Sequence, residues 1–257
     1  MQVTIIGSGN VATVLGRLFI KNGHSVGEIY SRDFNHASFL AEQLNAKSVS
    51  DLGMLDKNAD LYFIAVSDDA LAEVAAQLNV NDKLVVHTAG SVSKEILQKI
   101  STKYGVLWPM KMIRKSMATL EPVTIVVDGS SQTVTHQLFQ LATEFSSTVT
   151  IADDETRGKM HMLAAITSNF TNHLYHLAAD FCAAENIDFS FFYPLIEETA
   201  LRIRNHHPVE VQAGPAFRGD RQTLEKHVQI LAKYPQIQKV YEAMTESITK
   251  SFKDKTK

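Results

Sequence analysis

Fold choice is constrained most tightly at the amino terminus. The apolar run Val3-Thr4-Ile5-Ile6 feeds directly into Gly7-Ser8-Gly9-Asn10-Val11-Ala12. A Gly-x-Gly-x-x-Ala turn with a strand before it and a helix after it is the phosphate-binding turn of a dinucleotide-binding βαβ unit. Gly7 permits the tight turn out of the strand, and Gly9 lets backbone approach a pyrophosphate. Ala12 is small enough for the helix to pack close to the sheet. The first amides of that helix, and its positive dipole end, then face the phosphates.

The next unit along the chain indicates which dinucleotide. The helix from about Val11 to Asn22 ends at Gly23, a residue suited to a left-handed cap. A second strand, about Ser25 to Tyr30, ends in Ser31-Arg32. NAD-selective sites carry an acid about 20 residues after the glycines, where it takes the ribose 2′-hydroxyl; an Arg there accommodates a 2′-phosphate instead. Here the nearest acid, Asp33, falls after the tip. A guanidinium grips a phosphate through two parallel hydrogen bonds, and a hydroxyl adds a third donor. With each charge-assisted bond worth roughly 1.5–3 kcal/mol, Ser31 and Arg32 predict a preference of about tenfold to a hundredfold for NADP over NAD.

Strand and helix signals then alternate, which predicts a mostly parallel sheet with helices on both faces. A helix near Asn35 to Leu44 precedes a short strand at Lys47 to Val49. Leu61 to Val66 is a continuous apolar run, as in a central strand buried on both faces. It breaks at Ser67-Asp68-Asp69, a hydroxyl N-cap followed by acids in the first helical turn. Leu84 to His87 forms the next strand, and Thr88-Ala89-Gly90-Ser91 leads to a helix from about Ser93. Further strands are expected near Val106 to Trp108, Val123 to Val127 and Thr148 to Ile151, with a helix from Ser131 to Phe145 between the last two.

At Asp153-Asp154 the pattern turns wholly helical. Asp154 to about Glu185 reads as one long helix, apolar on more than one face and therefore buried by several neighbours. Later helices begin near Asp188, after Gly219-Asp220, and near Tyr234. The expected fold class is thus α/β: a Rossmann domain over residues 1–152, then an all-α domain over 153–257 that binds substrate and forms a homodimer.

Composition excludes several roles. Of 257 residues, 45% are hydrophobic and 21% charged, with a net charge of −3. No basic excess exists to neutralise nucleic-acid phosphates. The basic stretch Lys250 to Lys257 reads as a solvated terminus. Cys182 is the single cysteine, a small buried hydrophobe. No leader precedes the first strand and no apolar run approaches ~18 residues, so a cytoplasmic chain with no membrane partner is expected. No Cys/His/acid spacing suggests a metal.

The order of the two domains resembles the superfamily of pyrroline-5-carboxylate reductase and 6-phosphogluconate dehydrogenase-like proteins. Ala164-Ala165-Ile166-Thr167-Ser168-Asn169-Phe170 and Gly214-Pro215-Ala216-Phe217-Arg218-Gly219-Asp220, followed by Thr223 and His227, narrow the match. They look like a bacterial group of NADP oxidoreductases with a helical C-terminal domain of unknown function, related to the deazaflavin-dependent NADP oxidoreductases. That resemblance implies NADP as cofactor. It places Gly7, Ser8, Gly9, Asn10 and Val11 on the pyrophosphate, and Ser31 and Arg32 on the 2′-phosphate. Val66, Ser67 and Asp68 would lie against the nicotinamide-side ribose, with Thr88, Ala89 and Gly90 at the same carboxyl edge. It implies no substrate.

Hydride transfer requires a polarising donor beside the nicotinamide and exclusion of water. His161 and Ser168 are seven apart and share a helix face, with Asn169 adjacent. His161 is a candidate to protonate a nascent alkoxide, and Asn169 to orient substrate. β-Hydroxyacid dehydrogenases pair a helical Lys with an Asn four positions on; here Lys159 is followed at that spacing by Leu163, so sugar-acid chemistry is not expected. Arg218, between proline and glycine, is a candidate to hold a substrate carboxylate or phosphate, with Thr223 and His227 in support. Asp220 is placed to cap the next helix. Trp108 to Met112 would roof a substrate pocket, with Lys111 as an anion contact or the segment as apolar packing. The sequence is thus read as an NADP(H)-dependent oxidoreductase acting on a small carbonyl or imine, with a non-catalytic NADP(H) sensor as the alternative.

Overall fold

In the computed structural model, residues 1–252 are described, so most of the terminal basic stretch lies outside them. The elements run β1 (Gln2–Ile6), α1 (Asn10–Lys21), β2 (Ser25–Tyr30), α2 (Phe34–Leu44), β3 (Lys47–Val49), β4 (Leu61–Ile64), α3 (Asp68–Gln77) and β5 (Asn81–His87). Next come β6 (Ser101–Pro109), β7 (Thr124–Gly129), α4 (Gln132–Thr143), β8 (Thr148–Ile151) and α5 (Asp154–Ala164). Then follow α6 (Thr171–Ala184), α7 (Tyr193–Arg202), α8 (Pro215–Arg218), α9 (Arg221–Leu231) and α10 (Pro235–Phe252).

The strands form one sheet in the order β3-β2-β1-β4-β5-β6-β7-β8. Every neighbouring pair is parallel except β6 with β7. The chain builds outward from β1 to β3, then returns to the other side of β1 with β4. That reversal opens a crevice at the carboxyl ends of β1 and β4, where open α/β sheets bind ligands. Both strands earn their central place: Val3 to Ile6 and all of β4 are buried. Phe19 of α1 meets Phe63 and Phe145 edge to face, at 5.3 and 5.1 Å, which locks α1 onto the sheet.

Gly23 has φ +82°, as a left-handed cap after α1 requires. Ser131 and Asp220 cap α4 and α9 through their side chains. Ser67 precedes α3, but its hydroxyl makes no capping bond there; Asp68 and Asp69 alone serve that helix end. The helix expected from Ser93 is only a 3-10 turn, Lys94–Leu97, because the chain must return at once to β6. The long helix from Asp154 is interrupted by a π segment, Ala165–Phe170. Arg218 ends the short helix α8.

The chain divides into two compact units, Met1–Ala165 and one beginning at Ile166. The last strand ends at Ile151, and α5 packs with the sheet: Met160 and Ala164 lie against Val106, Trp108 and Val126. Arg157 of the same helix is 1% exposed. In the second unit, α6, α7 and α9 bury few residues, Leu177, Cys182 and Leu231 among them. No helix among the described residues is long and apolar enough to cross a membrane.

Gly7 is the glycine on which the crevice turns. Its φ is +122°, and a Cβ there would lie 2.2 Å from the Ala65 carbonyl oxygen. Gly7→Ala therefore meets both backbone strain and a hard clash. It is expected to lower unfolding free energy by about 3 kcal/mol in chemical denaturation. Unchanged stability would contradict this account of the turn.

Candidate functional site

A cavity of about 280 Å³ occupies the crevice, walled by Gly7, Ser8 and Gly9, by Tyr30, Ser31 and Arg32, by Ala65, Val66 and Ser67, and by Ala70, Glu73 and Val74 of α3. The glycine turn, the tip of β2 and the loop after β4 thus converge as the motif predicts. Gly9 differs from Gly7: a Cβ there would meet no atom of the chain within 4 Å. The fold does not demand glycine at that position, whereas a phosphate lying against the backbone would. Ser8 Oγ donates to Ser31 Oγ at 2.9 Å, tying the glycine turn to the β2 tip. Asp33 is turned away to cap α2, accepting from the His36 amide at 3.1 Å. The acid nearest the usual NAD position is therefore occupied, and Arg32 lines the cavity in its place. Asn10 and Val11 open α1 beside this wall without lining it.

The loop after β5 is held from three sides. His87 Nδ1 accepts the Ala89 amide at 3.2 Å, so the neutral ring carries its proton on Nε2. Ser91 Oγ donates to Asp68 at the start of α3. Ser93 Oγ and the Lys94 amide both donate to Asp154, and Arg157 donates to the Val92 carbonyl and to Asp154, each at 2.6 Å. Asp128 accepts from Lys94 at 2.7 Å and lies 4.0 Å from the Arg157 guanidinium. Burial favours a neutral Asp154, but the Ser93 hydroxyl and Arg157 outweigh it and hold the carboxyl below its usual value. His87 is fully buried; burial first, and the Arg157 charge second, push it down from 6.5 to about 4. Thr88, Ala89 and Gly90 are thereby fixed at the carboxyl edge before any ligand arrives.

His161 sits in the same place. Its ring centre lies 5.5 Å from that of Trp108, and a Cβ on Gly90 would fall 2.6 Å from both rings. Gly90 is thus the floor on which His161 and Trp108 rest, and His161 remains exposed. Lys111 is no anion contact: its ammonium donates to the Leu120 and Pro122 carbonyls at 2.8 and 3.2 Å. Lys159 pairs with Glu155 on the exposed surface of α5.

The other chemical candidates belong to the second unit. Asn169 lies exposed in the π segment, a local widening of the helix of the kind found often at functional sites. Arg218 is exposed at the end of α8. Its expected supports are engaged elsewhere: Thr223 with Asp220, and His227 with the Tyr241 hydroxyl at 2.8 Å. No group of His, Cys, Asp and Glu among the described residues could hold a metal.

Two contributors escaped the sequence reading: Glu73 enters the cavity from the middle of α3, and Arg157 fastens the β5 loop to α5. Helical spacing puts Glu73 one turn beyond Ala70, on the face that meets the cavity. Nothing local marks Arg157, which stands between Thr156 and Gly158 like any polar helix residue.

Residues 2–91 match the family described as NADP oxidoreductase, coenzyme F420-dependent, and residues 123–248 match a domain of unknown function, DUF2520. A crystal structure of a putative NADP oxidoreductase from Bacteroides fragilis is 33% identical, covering 97% of this chain and 98% of that one, with a TM-score of 0.87. An imine reductase from Myxococcus stipitatus in complex with NADP+ shares the fold at 14% identity, covering 98% of this chain and 94% of its own, with a TM-score of 0.70. A glycerol-3-phosphate dehydrogenase (NAD(P)+) of Staphylococcus aureus is 24% identical over 115 residues; the chain covers 35% of that enzyme's length. The chain belongs to the NADP oxidoreductase family of the Bacteroides protein.

His87 makes stability depend on pH in a known direction. Its folded pKa, about 4, lies below the unfolded 6.5. The unfolded chain therefore binds the proton first, and stability present above pH 6.5 is lost as pH falls towards 4. The loss is on the order of 3 kcal/mol. His87→Asn keeps an acceptor for the Ala89 amide but cannot titrate, so denaturation curves across that window should flatten for the variant. Parallel curves for the two proteins would contradict the assignment.

Proposed function

We propose that this family member binds NADP(H) in the switch-point cavity and uses it to reduce a small carbonyl or imine. The observation that carries the reading is the convergence of Gly9, Ser31 and Arg32 on one cavity while Asp33 is spent on the α2 cap. The bound nicotinamide supplies hydride. The α1 amides receive the pyrophosphate, and Ser31 and Arg32 the 2′-phosphate. Val66, Ser67 and Asp68, with the fixed turn Thr88-Ala89-Gly90, position the nicotinamide half. His161, resting on Gly90 and Trp108, donates a proton to the developing alkoxide or amine. Asn169 orients the substrate and Arg218 holds an anionic group on it.

Calorimetric titration tests the cofactor, followed by a panel of cyclic imines and small keto acids scored by NADPH oxidation. Wild type is expected to bind NADPH about tenfold or more tightly than NADH, and Arg32→Ala to bring the two together. Gly9→Ala should weaken both nucleotides without loss of stability. His161→Asn should lower kcat by about a hundredfold at unchanged NADPH affinity. Tight binding with no turnover on any panel member would favour the sensor reading; an Arg32→Ala variant indistinguishable from wild type would sink the phosphate site.

The protein acts as a homodimer through its helical unit. Support comes from apolar side chains that one copy leaves uncovered: α7 buries no residue, and Phe191, Leu195, Leu201 and Ile203 are 75, 57, 57 and 55% exposed. Exposed apolar side chains clustered on and beside one helix support a subunit contact there. Sedimentation velocity should give a dimer that Leu195→Asp shifts towards monomer; a monomeric wild type would contradict it.

A further inference from the structure

We infer that Glu73 sets the cofactor ratio of this site by occupying Arg32 as a stand-in for the 2′-phosphate; the inference rests on the NADP reading above. Arg32 reaches from the tip of β2 and Glu73 from α3, both lining the cavity, with Nη1 and Oε2 3.9 Å apart. Leu71 and Val74 of α3 are buried on either side of Glu73, and Ala70 lines the same cavity, so the helix turn that carries the carboxylate is packed beside the cavity. Asp33, the other nearby acid, is committed to the α2 cap and to His36. Glu73 is thus the carboxylate that answers Arg32.

The pair is soft, since the two side chains are 70 and 56% exposed. Exposed pairs of this kind are broken at little cost. A 2′-phosphate carries about −1.5 to −2 charges and three acceptor oxygens, so it displaces the carboxylate from the guanidinium. Displacement does not remove Glu73, whose charge stays on the cavity wall a few ångströms from the incoming dianion. NADP(H) therefore meets two penalties, a lost ion pair and like-charge repulsion. A ribose 2′-hydroxyl meets neither. Ser31 and Arg32 favour NADP, and Glu73 trims that preference so that NAD remains a usable second ligand.

Glu73→Gln keeps the shape and helix preference of the residue and removes the charge. Titrations of wild type, Glu73→Gln, Arg32→Ala and the double variant with NADPH, NADH and adenosine 2′,5′-bisphosphate test the inference, with thermal denaturation confirming equal stability. Glu73→Gln should bind NADPH and the bisphosphate about three- to tenfold more tightly, with NADH within about twofold of wild type. In the Arg32→Ala background the gain should shrink to the repulsive part alone. Unchanged NADPH affinity overturns the inference, as does weakened NADH binding, which would make Glu73 a ribose-hydroxyl acceptor. If Arg32→Ala still lowers NADPH affinity, either result leaves the phosphate site standing; if it does not, both fall together.

Discussion

The backbone of Gly7 passes so close to the Ala65 carbonyl that no side chain fits between them. That approach brings the turn after β1 against the loop after β4 at the point where strand order reverses. Without it the crevice would be a gap between diverging elements; with it, one wall carries amides and the other carries Ala65-Val66-Ser67. Gly7 answers to contacts within the fold, whereas Gly9 meets none of them. Two glycines of one motif therefore have separable physical reasons.

The loop after β5 depends on a different kind of force. Arg157 is a buried guanidinium whose contacts join α5, the loop after β5 and, across 4.0 Å, Asp128 of β7. In a dry environment such contacts are strong when satisfied and costly when broken. They hold Thr88-Ala89-Gly90 in place and with it the floor beneath His161. Preorganisation of this kind means that geometry is settled before a ligand binds, so binding free energy is not consumed in ordering the loop.

The signals legible in the sequence were local ones. A strand feeding a glycine turn, a Ser-Arg pair at the second strand tip and a continuous apolar run at Leu61 are each defined within a few residues, and the sheet assembled from them follows known topology rules. Features that depend on distant partners were not legible. Glu73 reads as one acid on an amphipathic helix until α3 is laid against the cavity. Lys111 reads as an available cation until Leu120 and Pro122 fold back onto it. The π segment at Ala165–Phe170 has the residues of an ordinary helix. The apolar faces of the stretch from Asp154 to Glu185 were legible, but their expected burial is not met in the single chain, where Leu163, Ile166 and Phe170 stay exposed.

The central claim is that an NADP(H) molecule lies across the carboxyl edge with its 2′-phosphate on Ser31 and Arg32. A crystal structure of the protein grown with NADPH tests it most directly. The account predicts the pyrophosphate over the amides of Ser8 to Val11, the 2′-phosphate within hydrogen-bond distance of the Arg32 guanidinium, and the nicotinamide beside Gly90 and His161. A nucleotide bound with its adenosine end away from Arg32, or a cavity left empty at saturating NADPH, would contradict it.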